Sequence, residues 1–84
     1  MGTYSINFAY DGKSETALCN EINEAGQVEY HVTPHNKVLI EKFGKNIFKQ
    51  MKGGFLSGEP INDLEYYSAL KEGLETFIYQ KRKE

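Results

Sequence analysis

Apolar and polar residues alternate strictly near the start of the chain and predict a half-buried β-strand. Between Thr3 and Tyr10 every second side chain is aromatic or aliphatic, whereas the intervening side chains are small or polar. A period of two is typical of a strand that buries one face. The dipeptide Asp11-Gly12 follows at once and favours a tight hairpin turn.

The lengths of two hairpin loops decide which side chains of a predicted three-stranded meander are buried. A two-residue loop at Asp11-Gly12 would turn Ala17 and Cys19 toward the core. A three-residue loop that includes Lys13 would turn Leu18 inward instead. A three-residue loop over residues 24–26 agrees with the second arrangement, because it aligns the same face with the apolar positions of the third strand, residues 27–33.

We therefore predict three-residue loops at both turns and assign two sets of side chains to the faces of the meander. The inward set consists of Tyr4, Ile6, Phe8, Leu18, Ile22, Val28, Tyr30 and Val32. The outward set consists of Ala17, Cys19, Glu29 and His31. This assignment depends on the agreement between the two loops.

An amphipathic helix is predicted at the end of the chain. Asn62 is expected to cap its N-terminus, with Glu65 at the capping-box position. Its apolar stripe repeats at helical spacing and consists of Leu64, Tyr67, Leu70, Leu74, Phe77 and Ile78. Gly73 inside this helix costs about 1 kcal/mol relative to alanine, which indicates close packing of the helix on the sheet.

Residues 36–58 fit two interpretations. As a helix, the segment is capped by Thr33, with Pro34 in the first helical position. That helix buries one apolar face and gathers four lysines on the opposite face: Lys42, Lys45, Lys49 and Lys52. As strands, residues 37–43 and 46–52 are separated by Gly44, and Gly53-Gly54 forms a hairpin loop before Phe55. The glycines favour the strands, and a second helix over residues 36–52 is the alternative.

Together these elements predict one small α+β domain over residues 1–84. The fold is an antiparallel β-meander of three to five strands packed against the amphipathic C-terminal helix. Such a sheet cannot bury its apolar face alone, so the helix supplies the second layer. An apolar content of 39% in 84 residues supports a single small core.

Composition narrows the class of protein. A net charge of −2 and a pI near 5.7 argue against a dedicated nucleic-acid-binding protein. The charge is uneven, however, because residues 31–56 carry five lysines and one acidic residue. The single cysteine cannot form an intramolecular disulfide, and no signal-peptide or membrane-spanning pattern is present. We therefore expect a cytoplasmic protein with no membrane association.

The common catalytic motifs are absent from the sequence. It contains no P-loop, no dinucleotide-binding fingerprint and no HExxH or GxSxG motif. We therefore expect no enzyme activity, no cofactor and no metal site. In the predicted register Cys19 lies across from His31 on the outward face, and such a pair could activate the thiol or bind a metal. This minor thiol or metal activity is the third of three functional hypotheses.

Two sets of residues are candidate binding residues for the other two hypotheses. Lys42, Lys45, Lys49 and Lys52 alternate with phenylalanines, a mixture that binds single-stranded nucleic acid or another polyanion. Tyr66, Tyr67 and Tyr79 are amphipathic aromatic residues of the kind enriched at protein interfaces. The sequence favours a non-catalytic protein-interaction module that forms a homodimer or binds another protein, with binding of nucleic acid or another polyanion as the alternative.

Overall fold

The computed structural model describes residues 2–50, 56–58 and 61–83 of the chain. Five antiparallel strands form one sheet in sequence order: β1 (Gly2–Tyr10), β2 (Lys13–Glu24), β3 (Gln27–Pro34), β4 (Asn46–Gln50) and β5 (Leu56–Gly58). Helix α1 spans Lys37–Phe43 and helix α2 spans Leu64–Lys83. The predicted α+β meander with a C-terminal helix is therefore confirmed.

Both hairpin loops of the meander contain two residues, and the predicted three-residue loops are wrong. Tyr10 pairs with Lys13 across the first turn, and Glu24 pairs with Gln27 across the second. All four central residues have a positive φ: Asp11 53°, Gly12 70°, Ala25 53° and Gly26 78°. Positive φ at both central positions is the type I′ geometry, whose twist matches that of paired strands. The left-handed conformation of Ala25 costs about 1–2 kcal/mol, and the pairing of β2 with β3 outweighs that local cost.

The shorter loops reverse the two faces of β2 relative to the prediction. Ala17 and Cys19 are fully buried on the inner face, which packs against α2. Leu18 is 38% exposed on the outer face, which Ile22 shares. The assignments for β1 and β3 are confirmed, because Ile6, Phe8, Tyr30 and Val32 are buried, whereas Glu29 and His31 alternate with them on the outer face.

Residues 36–50 combine the two interpretations of the sequence. The first half is helix α1, so the predicted strand over residues 37–43 is wrong, whereas the strand that follows Gly44 is present as β4. Asn36 caps α1, with its side-chain oxygen accepting a hydrogen bond from the Val38 N–H at 2.9 Å. Thr33 and Pro34 belong to β3 instead of the cap. Gly44 ends the helix with a φ of 64°, and Gly53-Gly54 lies outside the described residues.

Helix α2 begins one residue later than the sequence predicts. The carboxylate of Asp63 accepts a hydrogen bond from the Tyr66 N–H at 3.1 Å, so Asp63 occupies the position predicted for Asn62. The face of α2 that packs on the core is therefore rotated relative to the predicted apolar stripe. Tyr66, Leu70 and Leu74 are fully buried, whereas Leu64 is 76% exposed.

Candidate functional site

The structure does not place the three described lysines of the predicted basic face, Lys42, Lys45 and Lys49, on one helix. Lys42 lies on α1 and Lys45 in the connection to β4, whereas Lys49 lies in β4 opposite Glu29. Lys52 lies outside the described residues. Lys42 and Lys45 line one pocket of about 290 Å³, together with Asn46 and Asn62. The described lysines therefore do not form a single basic helix face, and among them Lys42 and Lys45 lie together at one pocket.

The three tyrosines proposed for an interface have different environments. Tyr66 is fully buried, with its ring stacked on Phe43 at a centroid distance of 3.9 Å. The hydroxyl of Tyr67 accepts a hydrogen bond from the Gly58 N–H at 3.1 Å, which ties α2 to β5. Tyr79 is 62% exposed. Tyr66 and Tyr67 thus stabilise the fold, and of the three tyrosines only Tyr79 is largely exposed.

The predicted Cys19–His31 pair is wrong. Cys19 pairs with Val32 and is fully buried on the inner face. His31 pairs with Asn20 on the outer face, where its Nε2 lies 3.1 Å from Oε1 of Glu29. A two-residue loop in place of a three-residue loop separates the two side chains by the thickness of the sheet. Among the described residues, no group of three or more His, Cys, Asp and Glu side chains could hold a metal ion.

A tyrosine–carboxylate hydrogen bond joins the end of β1 to the start of α2. The hydroxyl of Tyr10 donates to Oδ2 of Asp63. This hydrogen bond is the main cause that raises the pKa of Tyr10 to about 12. The same bond, followed by the Tyr66 N–H, lowers the pKa of Asp63. Burial raises the pKa of the neighbouring Tyr66 to about 12. These shifts keep both tyrosines protonated and Asp63 ionised, which suits a structural contact between the two elements.

Among the described residues no strand pairs with the outer edge of β1, and this edge presents backbone groups that a further strand could pair with. The His35 N–H donates to the carbonyl oxygen of Thr16 at 3.0 Å, so the backbone groups of Thr16 face β3. Thr16 is paired with Asn7 across the β1–β2 ladder. Backbone groups in an antiparallel ladder alternate in direction, so the N–H and C=O of Asn7 face away from β2. By the same alternation, the backbone N–H and C=O groups of Thr3, Ser5 and Ala9 point away from β2, in the plane of the sheet.

Helix α2 forms a groove along this edge, which we call the β1 groove. It has a volume of about 250 Å³ and is lined by residues 7–9 of β1 and by Ala69, Glu72, Gly73 and Thr76 of α2. Gly73 allows the close approach, since a Cβ at this position would lie 2.5 Å from the carbonyl oxygen of Asn7. The prediction that Gly73 marks close helix–sheet packing is confirmed.

The sequence of β1 lacks the features that usually protect an edge strand. Residues 2–10 contain no charged residue and no proline. Natural edge strands commonly carry lysine, proline or a bulge, which prevent pairing with another chain. This uncharged segment at the start of a meander is the sequence feature that could have identified β1 as an unprotected edge strand. The groove could not be found in this way, because it depends on where α2 docks.

Comparison with models of protein families, with curated proteins and with solved structures found no match to this chain. No helix in the described part of the chain is long and apolar enough to cross a membrane.

Proposed function

We propose that this protein is a non-catalytic protein-interaction module and that its binding element is the open edge of β1. The observation that carries the proposal is the run of outward-facing backbone groups at Thr3, Ser5 and Ala9, together with the outward N–H of Asn7, in a strand without charge or proline. The carbonyl oxygen of Asn7 lies against Gly73 of α2 and is not counted among them. An extended segment that adds to such an edge gains main-chain hydrogen bonds, and pockets for its alternate side chains supply specificity. The β1 groove provides one such pocket.

The size of the β1 groove also favours a peptide over a small molecule. Pockets for drug-sized ligands have volumes of about 300–1,000 Å³ and enclose most of the ligand. The β1 groove, at about 250 Å³, lies below this range and is continuous with the strand edge. A space of this size suits one side chain of a partner whose backbone is held by β1.

An Asn7→Pro variant tests the edge without disturbing the β1–β2 ladder. Proline removes the outward N–H of Asn7, which makes no hydrogen bond to β2, and edge strands tolerate proline at such positions. The Asn7→Ala variant is the matched control, because it keeps the N–H. We expect a pool of extended octapeptides to shift the amide NMR signals of Ser5, Asn7 and Ala9 in the wild-type protein. Asn7→Ala should retain this binding, and Asn7→Pro should weaken it about tenfold.

Three results would contradict the proposed function. One is the absence of both peptide binding and self-association at the edge. The second is binding that leaves the edge amides unchanged. The third is equal affinity of the two Asn7 variants. Circular dichroism of each variant establishes that the fold is retained.

Binding of an anion is a second candidate function, favoured by the two lysines that share one pocket. Lys42 and Lys45 line it with Asn46 and Asn62, all potential partners for a phosphate group. A single-stranded oligonucleotide at low ionic strength tests this candidate, since phosphate contacts are strongest there. Lys45→Ala should weaken binding, whereas Lys49→Ala, in β4 opposite Glu29, should have little effect. No binding at low ionic strength would exclude the candidate.

A further inference from the structure

We propose that the occupant of the β1 edge is an extended basic peptide that inserts one small apolar side chain into the β1 groove. This inference rests on the proposed function and adds the chemical class of the partner. A peptide strand alternates its side chains between two faces. One residue in two would therefore point toward α2, and the residue level with Asn7 and Phe8 would enter the groove.

The walls of the groove select a small apolar side chain. Its helical wall is formed by Ala69, Glu72, Gly73 and Thr76, and its strand wall by residues 7–9. Ala69 and Gly73 supply the apolar part of the helical wall, and neither side chain extends far from the helix. A branched aliphatic side chain fills such a space and gains free energy from the apolar surface that it buries.

The charge at the groove favours a basic peptide. Of the described residues that line the groove, Glu72 is the one that carries a charge. A peptide with a lysine two positions from the inserted residue places an ammonium group on the same side of the strand, toward Glu72.

The position of α2 disfavours a second copy of this chain as the occupant. The Phe8 and Tyr66 rings meet edge to face at a centroid distance of 5.9 Å, and the Tyr4 and Phe77 rings lie 4.9 Å apart, so α2 runs over β1. Neighbouring strands are about 4.8 Å apart, whereas packed helices need about 8–10 Å. Pairing β1 with β1 of a second copy would bring the two α2 helices too close, and an isolated peptide brings no helix.

Two matched peptides and a control peptide test the chemistry. They are the acetylated and amidated heptapeptides TKTVTKT, TETVTET and TKTGTKT, titrated into isotopically labelled protein. We expect TKTVTKT to bind and to shift the amide signals of Ser5, Asn7 and Ala9. TETVTET should bind about twofold to fivefold more weakly, the range of an exposed charge pair. TKTGTKT should bind about tenfold more weakly, because it leaves the groove unfilled.

Charge reversal at Glu72 tests whether the preference for a basic peptide arises from the groove or from the rest of the helix. Glu72→Lys should make TETVTET the tighter ligand, whereas Glu75→Lys, an exposed residue outside the groove lining, should leave the preference for TKTVTKT in place. Thr76→Leu should block the valine peptide by filling the groove, and Thr76→Ser should not.

The outcomes distinguish this inference from the proposed function. Peptides that shift the edge amides with no preference for lysine or valine would overturn the inference and leave the proposed function standing. Concentration-dependent dimerisation that Asn7→Pro abolishes, without peptide binding, would identify a second copy as the occupant and also overturn the inference. Edge amides that respond to neither peptide nor protein concentration would overturn both.

Discussion

Both faces of the sheet carry apolar side chains at alternate positions of the strands, but the two faces differ in what covers them. The inner face is covered by α2 and carries the fully buried side chains Ala17, Cys19 and Val32. The outer face carries Leu18, 38% exposed, and the half-buried His31 and Ile47. The larger aliphatic residue of β2 thus lies outside while smaller neighbours lie inside. Because α2 packs closely on β1, small side chains from β2 fit beneath it, and size alone did not identify the buried face.

The largest expected effect concerns the residues that cover the inner face. Leu74→Ala should lower the free energy of unfolding by about 2–5 kcal/mol, because Leu74 is fully buried and its truncation leaves a cavity. Leu64→Ala, the same change in the same helix at a residue that is 76% exposed, should alter stability by less than about 0.5 kcal/mol. Urea denaturation measures both. Equal losses would show that α2 does not dock through this face.

A smaller effect is expected where α2 touches β1. Gly73→Ala gains about 1 kcal/mol of helix propensity. The new Cβ would lie 2.5 Å from the carbonyl oxygen of Asn7, however, and such overpacking costs about 1–3 kcal/mol. We expect a net loss of up to about 2 kcal/mol in denaturation experiments. A gain in stability would contradict the close contact between Gly73 and β1.

A glycine at position 25 should remove the backbone strain in the turn between β2 and β3. Ala25→Gly removes a left-handed alanine, which costs about 1–2 kcal/mol, but increases the entropy of the unfolded chain by about 0.5–1 kcal/mol. We expect a net stabilisation of about 0.5–1 kcal/mol. Ala9→Gly, in the extended backbone of β1, should be destabilising. Thermal melts compare the two variants, and loss of stability in Ala25→Gly would argue against the two-residue turn.

The smallest expected effect is on the pH dependence of stability that arises from the Tyr10–Asp63 hydrogen bond between β1 and the start of α2. The folded pKa of Tyr10 is raised to about 12, so its contribution to stability is present below the unfolded pKa of 10.0 and is lost as pH rises toward 12. The lowered pKa of Asp63 acts at the acid end, with stability present above its unfolded pKa of 3.8 and lost as pH falls through the folded value.

Tyr10→Phe should reduce the pH dependence of stability at both ends. Tyr66, whose pKa is also raised to about 12, should retain its own alkaline dependence in this variant. Unfolding measured across pH tests the expectation. An unchanged slope in both ranges would show that the Tyr10–Asp63 hydrogen bond does not contribute to folding.

Local sequence patterns predicted most elements but not the relations between them. The alternation in residues 3–10 and the helical spacing after residue 63 each depend on neighbours along the chain, so β1 and α2 were predictable. The loop at residues 24–26 was not, because alanine disfavours a positive φ and the pairing of β2 with β3 imposes it. The predicted Cys19–His31 site failed for the same reason, since a shift of one residue changes the face.

The candidate site likewise has one feature that the sequence shows and others that depend on the fold. The uncharged sequence of residues 2–10 is visible in the chain, whereas the β1 groove is created by residues that are far apart in sequence, with Asn7 beside Gly73. The lysine pair at Lys42 and Lys45 depends on where α1 ends at Gly44, which the sequence left open between two interpretations.

The sequence by itself determined the α+β class, the order of its most regular elements and the close approach of α2 at Gly73. These follow from periodicity and from glycine's lack of a side chain, which act over a few residues. Only the tertiary structure decided which face of β2 is buried, whether residues 37–43 form a helix, and that an open strand edge lies beside a groove. Those features depend on pairing and packing between distant segments, whose free energies outweigh the local preferences of residues such as Ala25.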